Sequence, residues 1–241
     1  MEVTNTQTEL SKSSSNENNN NNANEYQGLS HNQEQNLKTN LSNKTGLENA
    51  ATHDLNSTWC FWYASRKMKD HSIPYSDRLK KFAEFSTVED FFKYYVYLKS
   101  ASEIDRNTDI SMFKINYQPL WESCPNSGCL FIRFKKNDDP IELDLNWEKL
   151  LFSMIGEQFD ESTILGTTLS IRGRETIIEL WFDYNKNEKV KTALGHKIKS
   201  ILNLDKNIMI YFKDNSLSLQ DKSTLKNAET YNFSKRKNTY F

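Results

Sequence analysis

Hydrophobic positions are sparse up to residue 50 and dense beyond it. Residues 58–64 (TWCFWYA) have the length and β-branched/aromatic character of a strand, with Trp59, Phe61 and Tyr63 on one face and Cys60, Trp62 and Ala64 on the other. Both faces are apolar enough to be covered. Ser86-Thr87-Val88-Glu89 has capping-box spacing, and Val88, Phe91, Phe92, Tyr95 and Leu98 then recur at helical intervals. Residues 141–156 repeat that period through Leu143, Trp147, Leu150, Leu151 and Met154, with Gly156 as the helix stop. A third helix is predicted over 187–202, with Val190, Leu194, Ile198 and Ile201 on one side. Residues 79–85, 109–115, 130–134, 167–172, 177–181 and 208–212 read as strands. Helices are too few and too irregularly spaced for a parallel βαβ sheet. An α+β fold is therefore expected, with an antiparallel sheet, helices on one face and the other face free for a ligand.

Composition explains the blank front of the chain. Of 241 residues, the first 50 hold no Trp or Phe, one Tyr (Tyr26) and the run Asn18 to Asn22. Such a segment buries too little apolar surface to offset roughly 1–2 kcal/mol of backbone entropy per residue, so residues 1–50 are expected to be disordered. Residues 51–241 form the second unit, a folded domain with a flexible C-terminal end. The first 50 residues carry six acidic and three basic side chains, leaving 28 basic and 26 acidic in the rest. That balance argues against a histone-like coat. Three cysteines make a disulfide framework unexpected, and no run of about 18 apolar residues predicts a membrane span. Residues 1–10 lack the basic-then-apolar order of a secretory signal. An intracellular protein is the starting expectation.

Enzyme chemistry is not apparent. His31, His53, His71 and His196 have no ligand spacing, and Cys124 and Cys129 lack a second pair, so no metal site is expected. Nucleophile-elbow, P-loop and dinucleotide motifs are missing. Asp138-Asp139 and Asp160-Glu161 read as solvated loop charges. Recognition chemistry is present instead. In Gln118-Pro119-Leu120-Trp121-Glu122-Ser123-Cys124-Pro125, prolines on both sides exclude a long helix or a central strand. Trp121 is thus either a core anchor or a loop ring offered to a ligand. Glu122 favours the second, because a π face beside a carboxylate suits a flat cation with N–H donors on its edge. Ile171-Arg172-Gly173-Arg174 precedes a returning strand, so the arginines sit at a hairpin tip, either as ordinary surface charge or as forks for phosphate.

Six stretches in this order resemble the messenger-RNA cap-binding translation initiation factor 4E family. They are Thr58-Trp59-Cys60-Phe61-Trp62-Tyr63, the segment from Phe85 to Phe92, Ser111-Met112-Phe113-Lys114, Pro119-Leu120-Trp121-Glu122, Trp147 through Gly156-Glu157-Gln158-Phe159, and Ser170-Ile171-Arg172 followed by Trp181. The resemblance spans about His53 to Asn227. It implies a curved antiparallel sheet of about eight strands backed by three long helices. It also implies Trp121 and Tyr75 as the two slabs around 7-methylguanine, with Glu122 accepting from N1 and the exocyclic amine. Trp181 falls at the position touching the N7-methyl group, Arg172 at the one binding the cap phosphates, and Arg174 at a second basic contact. Ser223 falls in a C-terminal region near those phosphates that is phosphorylated in the family. Trp59, Trp62 and Trp147 are expected in the core.

Two departures bear on biology. Tyr75 stands where the principal initiation factor has Trp, and with Phe61 to Arg66 and Gly156 to Phe159 it resembles the 4E-homologous-protein branch, whose members repress translation. Trp59 matches the principal form. The implied partners are capped mRNA and, on the convex face, an amphipathic helix of a scaffold initiation factor or a repressor, received by Val88, Phe92, Glu148 and Phe152 beside His53-Asp54. No cofactor, metal or membrane contact is expected. The chain is expected to act as a monomer in the cytoplasm, with the nucleus left open. A cap-binding initiation factor, a cap-binding repressor and an aromatic-cage reader of methyl-lysine are the functions the sequence leaves standing.

Overall fold

The computed structural model describes residues 51–66, 73–159, 163–205 and 208–231. The predicted disordered segment 1–50, His71, the pair Asp160-Glu161 and the chain end after 231 lie outside the described residues.

Eight strands form one antiparallel sheet in the order β2-β1-β3-β5-β6-β4-β7-β8. They are β1 (Asp54–Ser65), β2 (Lys80–Thr87), β3 (Thr108–Lys114), β4 (Ser127–Lys135), β5 (Ile164–Ile171), β6 (Glu175–Asp183), β7 (Ile210–Asp214) and β8 (Glu229–Tyr231). Strand alternation sorts the side chains. Trp59, Phe61, Ile110, Met112, Leu130, Ile132, Ile178 and Leu180 join the larger core, where α2 (Val88–Tyr95), α3 (Pro140–Ile155) and α4 (Glu188–Leu202) contribute Phe91, Trp147, Leu150, Leu151, Leu194 and Ile198. Phe113, Cys129, Phe131, Ile177 and Trp181 form a smaller apolar cluster on the opposite side, with Trp62 and Trp121 packed against it. This is the predicted α+β arrangement. Two further helices, α1 (Tyr75–Arg78) and α5 (Asn215–Asp221), are short, and the periodicity did not signal them.

Helix boundaries depend on named caps. Asn187 and Asp139 cap α4 and α3 by accepting from Lys189 and Ile141 backbone N–H groups. The cap of α2 is Thr87, one residue later than the capping box predicted. Its hydroxyl accepts from Asp90 N at 3.1 Å, while Glu89 turns instead to the backbone N–H and ring of His53, at 2.9 and 2.7 Å. Helix α2 ends at Tyr95, so Leu98 packs from the following turn. Gly156 caps α3 at φ −84°, and the left-handed position falls on Glu157 at φ 52°.

One close approach requires a glycine. Gly166 on β5 lies opposite Phe113 on β3, and a Cβ built there would meet the Phe113 ring at 2.3 Å. Phe113 in turn packs edge-on against Trp181, with centroids 5.4 Å apart. The ring is thereby held over β5 on the side of the sheet away from α2, α3 and α4.

Candidate ligand cleft

A cleft of about 630 Å³ opens on the face opposite the long helices. That volume suits a small ligand. Tyr75 from α1, Trp121 and Glu122 from the loop before β4, Arg172 from the β5–β6 turn and Trp181 from β6 all line it, joined by Arg66, Arg78, Asp109, Ser170, Glu179, Lys222 and Thr224.

The Trp121-Glu122 loop is built by local hydrogen bonding. Residues Trp121–Ser123 form one 3₁₀ turn, closed by Ser123 N donating to Leu120 O and Cys124 N to Trp121 O. Asn215, at the start of α5, then donates to Cys124 O at 3.2 Å and to Ser127 Oγ at 2.7 Å, fixing the loop to the sheet. Trp121 is half-buried, neither sunk in the core nor fully free.

The opposite wall centres on Asp109, a nearly fully buried carboxylate at the start of β3. It accepts from the Tyr75 hydroxyl at 3.1 Å and from Ser170 Oγ at 2.8 Å, and it pairs with Arg172 at 2.6 Å and Arg66 at 3.2 Å. Arg66 also lies over the Tyr75 ring, 4.6 Å from its centroid, and covers one of its faces. Burial, then the Asp109 charge, holds the Tyr75 phenol far above its ordinary range, so it stays a donor. Arg172 spends donors inward as well, on Ser170 Oγ and on the carbonyls of Ile171 and Thr108. Its charge faces the cleft, yet a phosphate would meet only its remaining N–H groups.

Trp181 is buried in the floor, where its Nε1 donates to Glu179 at 2.8 Å. Arg174 is a correction to the sequence reading. It is exposed past the turn at Gly173 and does not line the cleft, because Arg172 N closes on Glu175 O and turns the chain at that point. Lys222 supplies a basic side chain from a different loop. That loop is pinned by buried Lys213, which bonds Asp221 and the Lys226 carbonyl. Ser223 Oγ accepts from the Leu225 and Lys226 backbone N–H groups, shaping the same loop between the lining residues Lys222 and Thr224.

On the helix side, Val88, Phe92, Glu148 and Phe152 come together. Phe92 and Tyr95 flank Phe152 at 5.6 and 5.2 Å, and the Tyr95 hydroxyl donates to Glu148 at 2.6 Å. Val88 N donates to His53 O at 2.9 Å, bringing the start of β1 to this patch. Phe92 is 41% exposed, a large apolar ring left on the surface.

Comparison with known proteins supplies the lineage. The family model for eukaryotic initiation factor 4E matches residues 54–230. The chain belongs to the initiation factor 4E family. It is 33% identical to Drosophila melanogaster eukaryotic translation initiation factor 4E1 over 69% of the chain, and it spans 64% of that relative's length. It is 32% identical to the Oryza sativa initiation factor NCBP over 81% of the chain and 83% of that protein. Among solved 4E structures, Caenorhabditis elegans eIF4E-3, in complex with the 4E-binding protein Mextli and a cap analogue, matches with TM-score 0.64 and 26% identity, over 70% of this chain and 96% of that one. Ascaris suum eIF4E-3 with an m2,2,7G cap matches with TM-score 0.64 and 28% identity, over 68% and 92%.

Several 4E cleft residues had no role in the sequence reading. Arg66 entered only as part of a branch-specific stretch, while Asp109 and Glu179 were not singled out. Their signal is a lone charge inside an apolar strand, as in Asp109-Ile110-Ser111-Met112-Phe113 and Ile177-Ile178-Glu179-Leu180-Trp181.

Proposed function

We propose that this 4E-family chain binds the 7-methylguanosine cap of messenger RNA and acts in translation initiation in the cytoplasm. The observation carrying this reading is that Tyr75, Trp121, Glu122, Arg172 and Trp181, drawn from four separate parts of the chain, line one cleft. Methylation at N7 makes the purine a flat cation. Stacking between Tyr75 and Trp121 then gains cation–π attraction in addition to dispersion. Glu122 accepts from N1 and the exocyclic amine, and Trp181 bounds the methyl group. Arg172 and Lys222 attract the phosphates. Each stacking ring contributes roughly 1–3 kcal/mol, and a bidentate contact a similar amount. Together they support about micromolar affinity or better.

The chain is read as a binding protein rather than an enzyme, so labelled capped RNA incubated with it should keep its cap. A methyl-lysine cage is a poorer account of this cleft, because a lysine side chain brings no anion for Arg78, Arg172 and Lys222, whereas the cap phosphates do. The apolar patch of Phe92, Tyr95 and Phe152 is read as the seat of an amphipathic helix from a scaffold or a repressor. The test is retention on 7-methyl-GTP resin with release by 7-methyl-GTP and not by GTP. Co-purification of a large scaffold from cell extract favours the initiation factor over the repressor.

A further inference from the structure

Glu179 is a buried acid in the floor of the cleft to which the cap contacts above give no task. It is 4% exposed, between Ile177 and Trp181 on the ligand-facing side of β6. Its carboxylate is fixed by the Trp181 indole N–H at 2.8 Å, and its backbone carbonyl by Thr167 Oγ1 at 2.6 Å. The register sets it opposite Thr168 on β5 and Phe131 on β4. Charged and titratable groups face it from each neighbouring element: Arg66 at the end of β1, Asp109 on β3, Cys129 on β4 and Arg172 after β5. Lys213 on β7 faces Cys129, and the Tyr75 hydroxyl is turned to Asp109. Both arginines form their ion pairs with Asp109, so the floor holds two carboxylates of which only one is paired with the two nearby cations.

We infer that Glu179 is a specificity-determining residue that makes the cleft prefer a cationic 7-methylguanine over neutral guanine. This rests on the cap-binding reading above. An ionised carboxylate here attracts the delocalised positive charge and repels the N7 lone pair of an unmethylated base. A protonated one loses the attraction and can donate to that lone pair. Burial pushes the Glu179 carboxyl up to about 7, opposed by the Trp181 N–H, so both forms are populated near neutrality. Because the group is ionised above that point, the preference for the methylated base strengthens as pH rises and fades as pH falls. Binding the cation favours the carboxylate, so below about pH 7 it also expels a proton.

The experiment compares dissociation constants for 7-methyl-GpppG and GpppG at about pH 6 and about pH 8, in the parent chain and in Glu179→Gln. The glutamine carbonyl can still accept from Trp181. The GpppG to 7-methyl-GpppG ratio should rise about tenfold more in the parent than in the variant. N1 of 7-methylguanine also titrates in this range, but equally in both proteins, so it cancels. An identical rise in the two proteins would overturn the inference. A second measurement reads the protons directly. Calorimetry at about pH 6.5, in buffers of different ionisation heat, should register more proton release with 7-methyl-GpppG in the parent than in Glu179→Gln, the N1 contribution being common to both, and proton uptake with GpppG in the parent alone. Equal proton exchange in the two proteins would contradict it. A parent that binds neither nucleotide would refute the cap-binding reading instead.

Discussion

The Tyr75 hydroxyl donates to Asp109 Oδ2 at 3.1 Å, which tethers a ring on the cleft rim to a buried carboxylate in the sheet. The hydroxyl bond and Arg66 over one face together hold the ring in one orientation. Removing the hydroxyl and removing the ring should therefore separate. Tyr75→Phe keeps the stacking surface and loses one hydrogen bond, so 7-methyl-GTP affinity should fall by about 2–10-fold. Tyr75→Ala loses the ring, and affinity should fall by roughly 10–100-fold. Isothermal titration of both variants checks the order.

Asp109 gathers Tyr75, Ser170, Arg66 and Arg172 around one buried carboxylate. Asp109→Asn leaves two guanidiniums without their counter-charge, and it should destabilise the fold by about 2–4 kcal/mol in urea unfolding, near the lower part of the range for broken buried pairs because both arginines keep some solvent access. The cap affinity of the folded fraction should fall too, since Tyr75 and Arg172 lose their anchor. Full stability with weakened binding would mean that Asp109 acts only on the ligand.

Gly166→Ala tests the packing beneath the cleft. The added methyl meets the Phe113 ring at 2.3 Å, and Phe113 is itself fully buried and packed edge-on against Trp181. The expected cost is about 1–3 kcal/mol or more, read as a lower unfolding midpoint together with a changed tryptophan emission spectrum.

His53 holds the Glu89 carboxyl down to about 2, against an ordinary 4.5, chiefly through the ring hydrogen bond and then its backbone N–H. A depressed carboxylate stabilises the fold above its unfolded value and ceases to do so as pH falls through its folded one. The parent should thus be more stable than Glu89→Gln near pH 6, and the gap should close between about 4.5 and 2. Urea midpoints across that range measure it.

How much of this was legible in the chain follows from the range of each interaction. The periods of α3 and α4 and their Asp139 and Asn187 caps are local, so both helices were readable to within a residue. At α2 the local rule pointed to Ser86, and a long-range partner, His53, drew Glu89 away and left the cap to Thr87. The four-residue α1 and the seven-residue α5 are too short to display a period, and three-residue β8 is defined by pairing with β7. In the cleft, Trp121 and Glu122 could be noticed because prolines set them in a loop. Tyr75 and Trp181 came from the family resemblance alone. Asp109 and Glu179 gain meaning only when the sheet brings Arg66, Arg172 and Trp181 beside them, which no spacing encodes. Arg174 was misread because a hairpin tip does not say which of its side chains turns inward.

On the helix side, Phe92→Ala should weaken binding of an amphipathic 4E-binding helix by about 10–100-fold, measured by fluorescence polarisation of a labelled peptide. Cap affinity should stay within about twofold, since the ring lies on the face opposite the cleft. Equal loss of both activities would show that the patch serves folding rather than docking.

The most direct test of cap recognition is tryptophan fluorescence during titration with 7-methyl-GTP and with GTP, in the parent, Trp121→Ala and Glu122→Ala. The parent should be quenched strongly by the methylated nucleotide and weakly by GTP, with Trp121→Ala losing most of the quench and both variants losing discrimination. Equal quenching by the two nucleotides in the parent, or an undiminished methylated-nucleotide response in Trp121→Ala, would contradict the account.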